Sequence, residues 1–162
     1  MWFLGAGASR SAGMPSATDI IWDLKRRHYC QQEDRFVSTN DLSNEAVRNK
    51  IQSYLEAAGC PPMWDDDEYA YYFEKVLGND LKLHRNYLAE QLNPEKISLN
   101  SGHRILAALL ELNLSKLIFT TNFDAVLETA FAAVVGKELH NYNLEGSVAA
   151  LDALNDGSVT LP

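Results

Sequence analysis

The first sixteen residues contain a short apolar segment, Phe3-Leu4, that leads directly into a glycine-rich loop starting at Gly5. The apolar segment predicts a β-strand, and Ser16 with Asp19 three residues later predicts a capped helix after the loop. Gly5 and Gly7 can adopt positive φ, and they lack the Cβ atoms that would hold a phosphate away from backbone N–H groups. This order of strand, glycine loop and helix predicts a binding loop for a nucleotide phosphate.

The spacing of the glycines can be compared with what the known kinds of phosphate-binding loop require. A dinucleotide-binding fingerprint needs a third glycine where this chain has Arg10, and an acidic residue about 20 residues further on, where Lys25-Arg26-Arg27 stands instead. A P-loop needs a Gly-Lys-Ser or Gly-Lys-Thr sequence, which the chain lacks. The spacing therefore disfavours a dehydrogenase and excludes a P-loop enzyme, while Gly-x-Gly alone also occurs in ordinary tight turns.

A second informative segment runs from Lys116 to Glu128, where an apolar β-rich stretch ends in polar residues before a helical pattern. Ligands of open α/β sheets bind beyond the carboxyl ends of the strands. Thr121, Asn122 and Asp124 are therefore predicted to face the same ligand as the glycine loop. The alternative is that Asn122 or Asp124 only caps the following helix.

These two segments together resemble the sirtuin superfamily, in Gly-Ala-Gly-Ala-Ser and Gly-Met-Pro near the start and Thr-Thr-Asn-Phe-Asp after the later strand. The segment from Ser101 to Glu111 is similar to the histidine-containing helix of sirtuins, with His103 bracing the pocket or serving as a structural histidine. The resemblance implies an α/β fold with a Rossmann-like parallel sheet and a helical insert. It assigns residues 1–39 and 95–162 to the NAD-binding domain and residues 40–94 to the insert.

Within the superfamily, Thr121 and Phe123-Asp124 are similar to the bacterial sirtuin-like NAD hydrolases of antiphage defence. This resemblance implies NAD as the substrate and cleavage of its nicotinamide–ribose bond. Protein deacylases of the family usually carry four zinc-binding cysteines, whereas Cys30 and Cys60 cannot form such a site, so no zinc is expected and both are predicted to be reduced thiols. An NAD-dependent protein deacylase and a non-catalytic sensor of NAD or ADP-ribose remain alternatives.

The resemblance also implies roles for individual residues. Asn122 holds the nicotinamide ribose and the attacking water, and Asp124 anchors the carboxamide. The catalytic base of the family is a histidine followed by glycine, and no His-Gly pair occurs in the sequence, so the base is expected beyond Pro162, with the chain an N-terminal fragment. His140 is the alternative base within the chain, although Asn141 stands where the family has glycine. The implied NAD-contacting residues are Gly5, Ala6, Gly7, Ala8, Ser9, Gly13, Met14, Pro15, Thr121, Asn122, Phe123 and Asp124.

Composition limits the partners of the chain. Its 162 residues carry a formal net charge of −8, which argues against a nucleic-acid surface. No run approaches the about 18 consecutive apolar residues of a membrane-spanning helix, and a cytoplasmic location is expected. Lys25-Arg26-Arg27 is interpreted as a solvated helix end, with contact to an anionic ligand as the alternative. The resemblance implies a homo-oligomer in the full-length protein.

The middle of the chain predicts helices from the spacing of its apolar residues. One starts near Ser43 and stops at Gly59, a second follows the acidic run Asp65–Glu68, and a third covers Leu81–Leu92. The aromatic residues after the acidic run are interpreted as core or inter-domain packing, with a lip that contacts the substrate as the alternative. Later predictions are a helix that stops at Gly136, a short strand over 138–142, a helix over 147–154 and a strand over 156–162.

Overall fold

The computed structural model describes residues 1–115, 117–139 and 141. In this part of the chain none of the helices is long and apolar enough to cross a membrane. Two 3-10 helices cover Thr39–Ser43 and Pro94–Lys96. The strands are β1 (Trp2–Leu4) and β2 (Ile118–Thr120), and the α-helices are α1 (Ala6–Arg10), α2 (Ala17–Glu33), α3 (Glu45–Ala57), α4 (Glu68–Leu77), α5 (Leu81–Gln91), α6 (Ser101–Glu111) and α7 (Val126–Val135).

The predicted fold class, an α/β fold with a Rossmann-like parallel sheet, is wrong for the described residues. Of these residues 61% are helical and 4% lie in strands, so β1 and β2 alone form the sheet. Apolar residues between these strands recur at spacings of three and four, which is the helical period. The resemblance implied a complete sheet, and the sequence predicted two further strands over 138–142 and 156–162. Residues 138, 139 and 141 lie in no strand. The helix predicted over 147–154 and the strand over 156–162 lie outside the described residues, as do positions 140 and 142.

The chain divides into two compact units. One, called the strand unit below, contains Met1–Met14 and the chain from Leu92 onward. The other, called the helical unit, is Pro15–Gln91 and contains α2, α3, α4 and α5. Helix α2, which the predicted division assigned to residues 1–39, therefore packs within the helical unit.

The helical unit begins with the capping box predicted for α2, which is confirmed. Ser16 Oγ accepts from the Asp19 N–H at 3.3 Å, and the Asp19 carboxylate accepts from the Ser16 N–H at 2.9 Å. Ile20 and Leu24 of α2 are buried, whereas Ala17 at its first position is exposed. The predicted packing role of the aromatic run is also confirmed. The core consists of Ile20, Leu24, Tyr29, Ile51, Leu55, Cys60, Tyr72, Phe73 and Tyr87.

Helix ends follow the stop signals in the sequence. Helix α3 ends just before Gly59, whose φ of +81° suits a residue without a side chain. Helix α5 ends ahead of Asn93-Pro94, and α7 ends at Gly136 with a φ of +73°. The three predicted helix ends are therefore confirmed. They could be predicted because each stop signal acts only on the few residues around it.

The interpretation of Lys25 as part of a solvated helix end is wrong. Its side chain is 1% exposed, forms an ion pair with Glu68 of α4, and donates from Nζ to Gln52 Oε1 of α3 at 2.7 Å. An ammonium group out of water is tolerated only with a charged partner and good hydrogen bonds. Glu68 is that charged partner, although the sequence predicted it only as negative charge at the start of a helix. Through Glu68 and Gln52, Lys25 joins α2 to α4 and α3.

A second charged cluster centres on the buried Asp23. Its carboxylate pairs with Arg26 at 2.7 Å and Arg27 at 2.8 Å, and accepts from Tyr87 Oη at 2.9 Å. Burial by itself raises the pKa of Asp23, but the hydrogen bonds from Arg26 and Tyr87 and the charge of Arg27 outweigh it, so the pKa lies below its usual value. Burial, with the nearby carboxylate, raises the pKa of Tyr87.

The strand unit combines the two-stranded sheet with α1, α6 and α7. The strands pair in parallel with Phe3 opposite Phe119, and these two rings stack at 5.1 Å between centroids. Two small apolar clusters hold the rest of the unit. One contains Ala12, Met14 and Val126, and the other contains Ala107, Ala130 and Phe131. Since the strands are parallel, their carboxyl ends lie at the same edge of the sheet.

Candidate functional site

The two loops predicted to share a ligand meet at this edge of the sheet. Strand β1 leads into the glycine loop at Gly5, and β2 leads into Thr121 and the residues after it. The Thr121 N–H donates to the Leu4 carbonyl at 3.3 Å, which extends the pairing beyond β2 by one residue. The prediction that these loops lie together is therefore confirmed by the geometry.

Asn122 connects the two loops through its side chain. Its Nδ2 donates to the Gly5 carbonyl at 3.0 Å and to Ser9 Oγ at 2.7 Å. Its backbone N–H donates to Thr120 Oγ1 at 3.0 Å. A carbonyl only accepts, so the end of the amide that faces Gly5 must be the NH₂ group. Both amide hydrogens are thus committed, and the remaining acceptor, Oδ1, is the atom that would contact a ligand.

His103 braces the glycine loop from the other side. The Asn100 N–H donates to His103 Nδ1 at 3.2 Å, so Nδ1 carries no proton and Nε2 is the donor. Nε2 donates to the Ala8 carbonyl at 2.9 Å. Ser11 Oγ donates to the same carbonyl at 2.7 Å and accepts from Asn100 Nδ2 at 3.1 Å. Both ring nitrogens therefore hold backbone groups, and His103 acts as a structural brace.

The glycines of the loop differ in what they require. Gly5 has a φ of −113° and Gly7 lies inside α1, so neither uses the positive φ that glycine allows. A Cβ built at either position would meet no heavy atom within 4 Å, so the space in front of the loop is open. Gly13 does have a positive φ, +86°, and it donates to the Arg10 carbonyl while the Met14 N–H donates to the Ser9 carbonyl. This pair of bonds is a Schellman motif, which needs glycine at that position.

Several other predicted site residues have different surroundings. Met14 is 2% exposed in a core cluster, and Pro15 belongs to the helical unit. Phe123 is 70% exposed at the loop surface. Asp124 Oδ1 accepts from the Val126 N–H at 3.1 Å, but the N-cap of α7 is Ala125, so Asp124 is not the capping residue that the alternative interpretation anticipated. The candidate base His140 lies outside the described residues.

Sequence reasoning missed two members of the site, Asn100 and Ser11. Asn100 caps α6 and, with His103 at the third helical position, forms a capping box in which both backbone N–H groups are bound. The spacing Asn-x-x-His was the available signal, since a capping residue is followed at this interval by a side chain that bonds back. No local pattern indicates Ser11 as a member of the site, because the side chains that it contacts, Asn100 and His103, lie about 90 residues along the chain.

Comparison of the chain with models of known protein families and with curated proteins finds no match. At the sheet edge, the hydrogen bonds to Gly5 and Ser9 occupy the amide nitrogen of Asn122 and leave its amide oxygen as an acceptor. Such an acceptor can hold a hydroxyl group or a water molecule in one orientation, because the bonds to Gly5 and Ser9 prevent the amide from rotating.

Proposed function

We propose that the strand unit binds NAD as a sirtuin-like protein and cleaves its nicotinamide–ribose bond, in the manner of the NAD hydrolases of antiphage defence. The observation that carries this proposal is the pair of hydrogen bonds from Asn122 to Gly5 and Ser9, at 3.0 Å and 2.7 Å. They join the two motifs that carry the resemblance at the carboxyl ends of parallel strands. The open space before Gly5 and Gly7 supports close approach of a pyrophosphate to the loop backbone.

In the proposed reaction, the bond between the ribose anomeric carbon and the nicotinamide nitrogen breaks, and positive charge develops on the ribose. Nicotinamide leaves with the bonding electrons. Water adds its oxygen to the anomeric carbon and releases a proton, which gives ADP-ribose. Asn122 Oδ1 orients the ribose and the water, and Asp124 anchors the carboxamide through the oxygen that Val126 does not use. Such positioning lowers the barrier by fixing the reacting groups before the reaction begins.

Release of nicotinamide from NAD by the purified chain tests the proposal. We expect turnover in the wild type, its loss in Asn122→Ala, and unchanged turnover in Asn86→Ala, which removes the same side chain from an exposed position of α5. Far-UV circular dichroism checks that both variants remain folded. If Asn122→Ala is folded and turns over NAD at the wild-type rate, the proposed role of this residue is wrong.

Binding of NAD or ADP-ribose without turnover is the second candidate function. It is supported by the geometry of His103, which is the only histidine in the described part of the strand unit and has both ring nitrogens engaged. Calorimetric titration with NAD separates the two candidates. Saturable binding without nicotinamide release favours the sensor. Loss of turnover in a folded His140→Ala variant favours the hydrolase with His140 as its base.

We also propose a cytoplasmic location for the protein. Cys30 and Cys60 are both free thiols, as predicted, and free thiols are typical of a reducing compartment. Fractionation of cells that express the chain tests this location, and recovery outside the cytoplasmic fraction would contradict it.

A further inference from the structure

A separate cleft lies in the helical unit, beside the end of α2. Its volume is about 510 Å³, within the range of about 300–1,000 Å³ that small-molecule sites occupy. Arg26 and Arg27 of α2 line it together with Arg35 and Phe36, which follow the helix. The chain as a whole carries a net charge of −8, so a cleft with three guanidinium groups differs from its average surface.

The charges around the cleft favour an anion. Two carboxylates oppose the three guanidinium groups: Asp34 lines the cleft, and Asp23 pairs with Arg26 and Arg27. Positive charge therefore remains in excess. Arg27 is tied to Asp23 through Nε at 2.8 Å, which leaves its terminal nitrogens to act as donors. Planar guanidinium groups held in this way bind phosphate oxygens in pairs.

An exposed aromatic ring lies beside these arginines and packs in no apolar core of the described residues. Phe36 is 87% exposed and lines the cleft, and two aliphatic residues of α4, Val76 and Leu77, form an apolar part of its wall. An exposed phenylalanine ring is available to stack on a flat ligand ring, as aromatic side chains do on the bases of single-stranded nucleic acids. An anionic group and a flat ring in the same ligand would satisfy both parts of the cleft.

We propose that this cleft binds a mononucleotide, with its phosphate held by Arg27 and Arg35 and its base stacked on Phe36. The site belongs to the helical unit and is independent of the proposed NAD site of the strand unit. Its ligand is recognised by one phosphate and one planar base, and the binding requires no chemistry at the cleft.

Calorimetric titration of the full chain with AMP tests the proposal. Arg35→Ala and Phe36→Ala change exposed residues outside the helices, so both variants should fold. We expect each to weaken AMP binding at least tenfold. Arg85→Ala removes the same charge from an exposed position of α5 and should bind AMP as the wild type does. Equal affinities for AMP and inorganic phosphate, or no AMP binding at millimolar concentration, would overturn the proposal.

Alkylation of Cys30 tells this cleft apart from the glycine loop. Cys30 is half-buried and lines the cleft, whereas Cys60 is buried in the core and provides an internal reference. AMP should slow the iodoacetamide reaction of Cys30, measured by peptide mass spectrometry, in both the wild type and Gly7→Ala. Calorimetric AMP binding that leaves the Cys30 reaction rate unchanged, or that is lost in Gly7→Ala and kept in Arg35→Ala, would assign AMP to the strand unit and contradict the proposal.

Discussion

At the scale of single residues, the strand unit depends on one side chain to connect its two loops. Asn122 lies 117 positions from Gly5 and 113 from Ser9, and donates to both. Ser9 is 5% exposed, so its hydroxyl positions Asn122 from beneath the loop. The backbone geometry of the glycine loop thus depends on two polar side chains, the buried Ser9 and the half-buried Asn122.

The Asn122→Asp substitution tests this connection with almost no change in shape. A carboxylate cannot donate to the Gly5 carbonyl 3.0 Å away, and it faces that oxygen with a negative charge. We expect NAD affinity to fall at least tenfold and the free energy of unfolding to fall by about 1–3 kcal/mol. Calorimetry and urea denaturation measure the two effects.

Asn86→Asp introduces the same charge at an exposed position and is expected to change neither quantity. Wild-type NAD affinity in Asn122→Asp would show that the amide hydrogens are not needed.

The glycines of the first loop provide a test that separates binding from stability. Gly7→Ala places a methyl group in open space on a helix, so we expect stability to stay the same or rise by up to about 1 kcal/mol, while NAD affinity falls. Gly13→Ala forces a side chain onto a φ of +86° and should cost about 1–2 kcal/mol. Thermal denaturation and NAD titration of both variants measure this difference. Unchanged NAD affinity in Gly7→Ala would argue against a ligand at this loop.

At the scale of elements, α2 organises the helical unit through two charged clusters on one helix. Lys25 reaches α3 and α4, while Asp23 reaches α5 through Tyr87. Apolar packing would hold these helices together in several relative positions, whereas charged partners must meet in specific pairs. We infer that the clusters select the arrangement of the four helices, a role seen for buried polar groups in other folds.

Removing one partner of the buried ion pair tests this inference. Glu68→Gln leaves the Lys25 ammonium buried beside neutral groups, so the free energy of unfolding should fall by about 3 kcal/mol. The double variant Lys25→Met with Glu68→Gln removes the stranded charge and should be more stable than Glu68→Gln alone. Urea denaturation measures both.

Lys137→Met breaks an exposed pair with Glu111, at 2.9 Å, and should cost less than about 0.5 kcal/mol. Equal losses of unfolding free energy in Lys137→Met and Glu68→Gln would contradict the distinction between exposed and buried ion pairs.

At the scale of the whole molecule, we expect the free energy of unfolding to depend on pH through Asp23. Its pKa is lower in the folded state than in the unfolded chain, so the folded protein gains stability above the unfolded value near 4. That gain is lost as pH falls from about 5 through the folded pKa. Stability measured by urea denaturation between pH 7 and pH 3 should therefore drop less in Asp23→Asn than in the wild type.

Asp66→Asn removes an exposed carboxylate of the same unit and should leave the acid dependence as in the wild type. If Asp23→Asn and the wild type lose stability in parallel below pH 5, Asp23 is not the group responsible.

Local sequence signals determined the helices and where they end. The capping box of Ser16 and Asp19, the stop at Asn93-Pro94 and the glycine at 136 all appear in the structure as predicted. Each depends on contacts within about four residues, and these are readable along a chain. The meeting of the glycine loop with Asn122 was also predictable, because polar residues at parallel strand ends share one edge.

Only the tertiary structure decided the extent of the sheet, the burial of Lys25 and which atoms of the glycine loop accept hydrogen bonds from Asn122. The prediction of a larger sheet came from two motifs, which specify loops and not the number of strands between them. Lys25 looks like a surface residue in its own sequence context, and Glu68, 43 positions later, makes its burial tolerable. The sequence by itself determined structure that depends on neighbours along the chain. Contacts between distant residues depend on which helices pack together, and only the tertiary structure shows that packing.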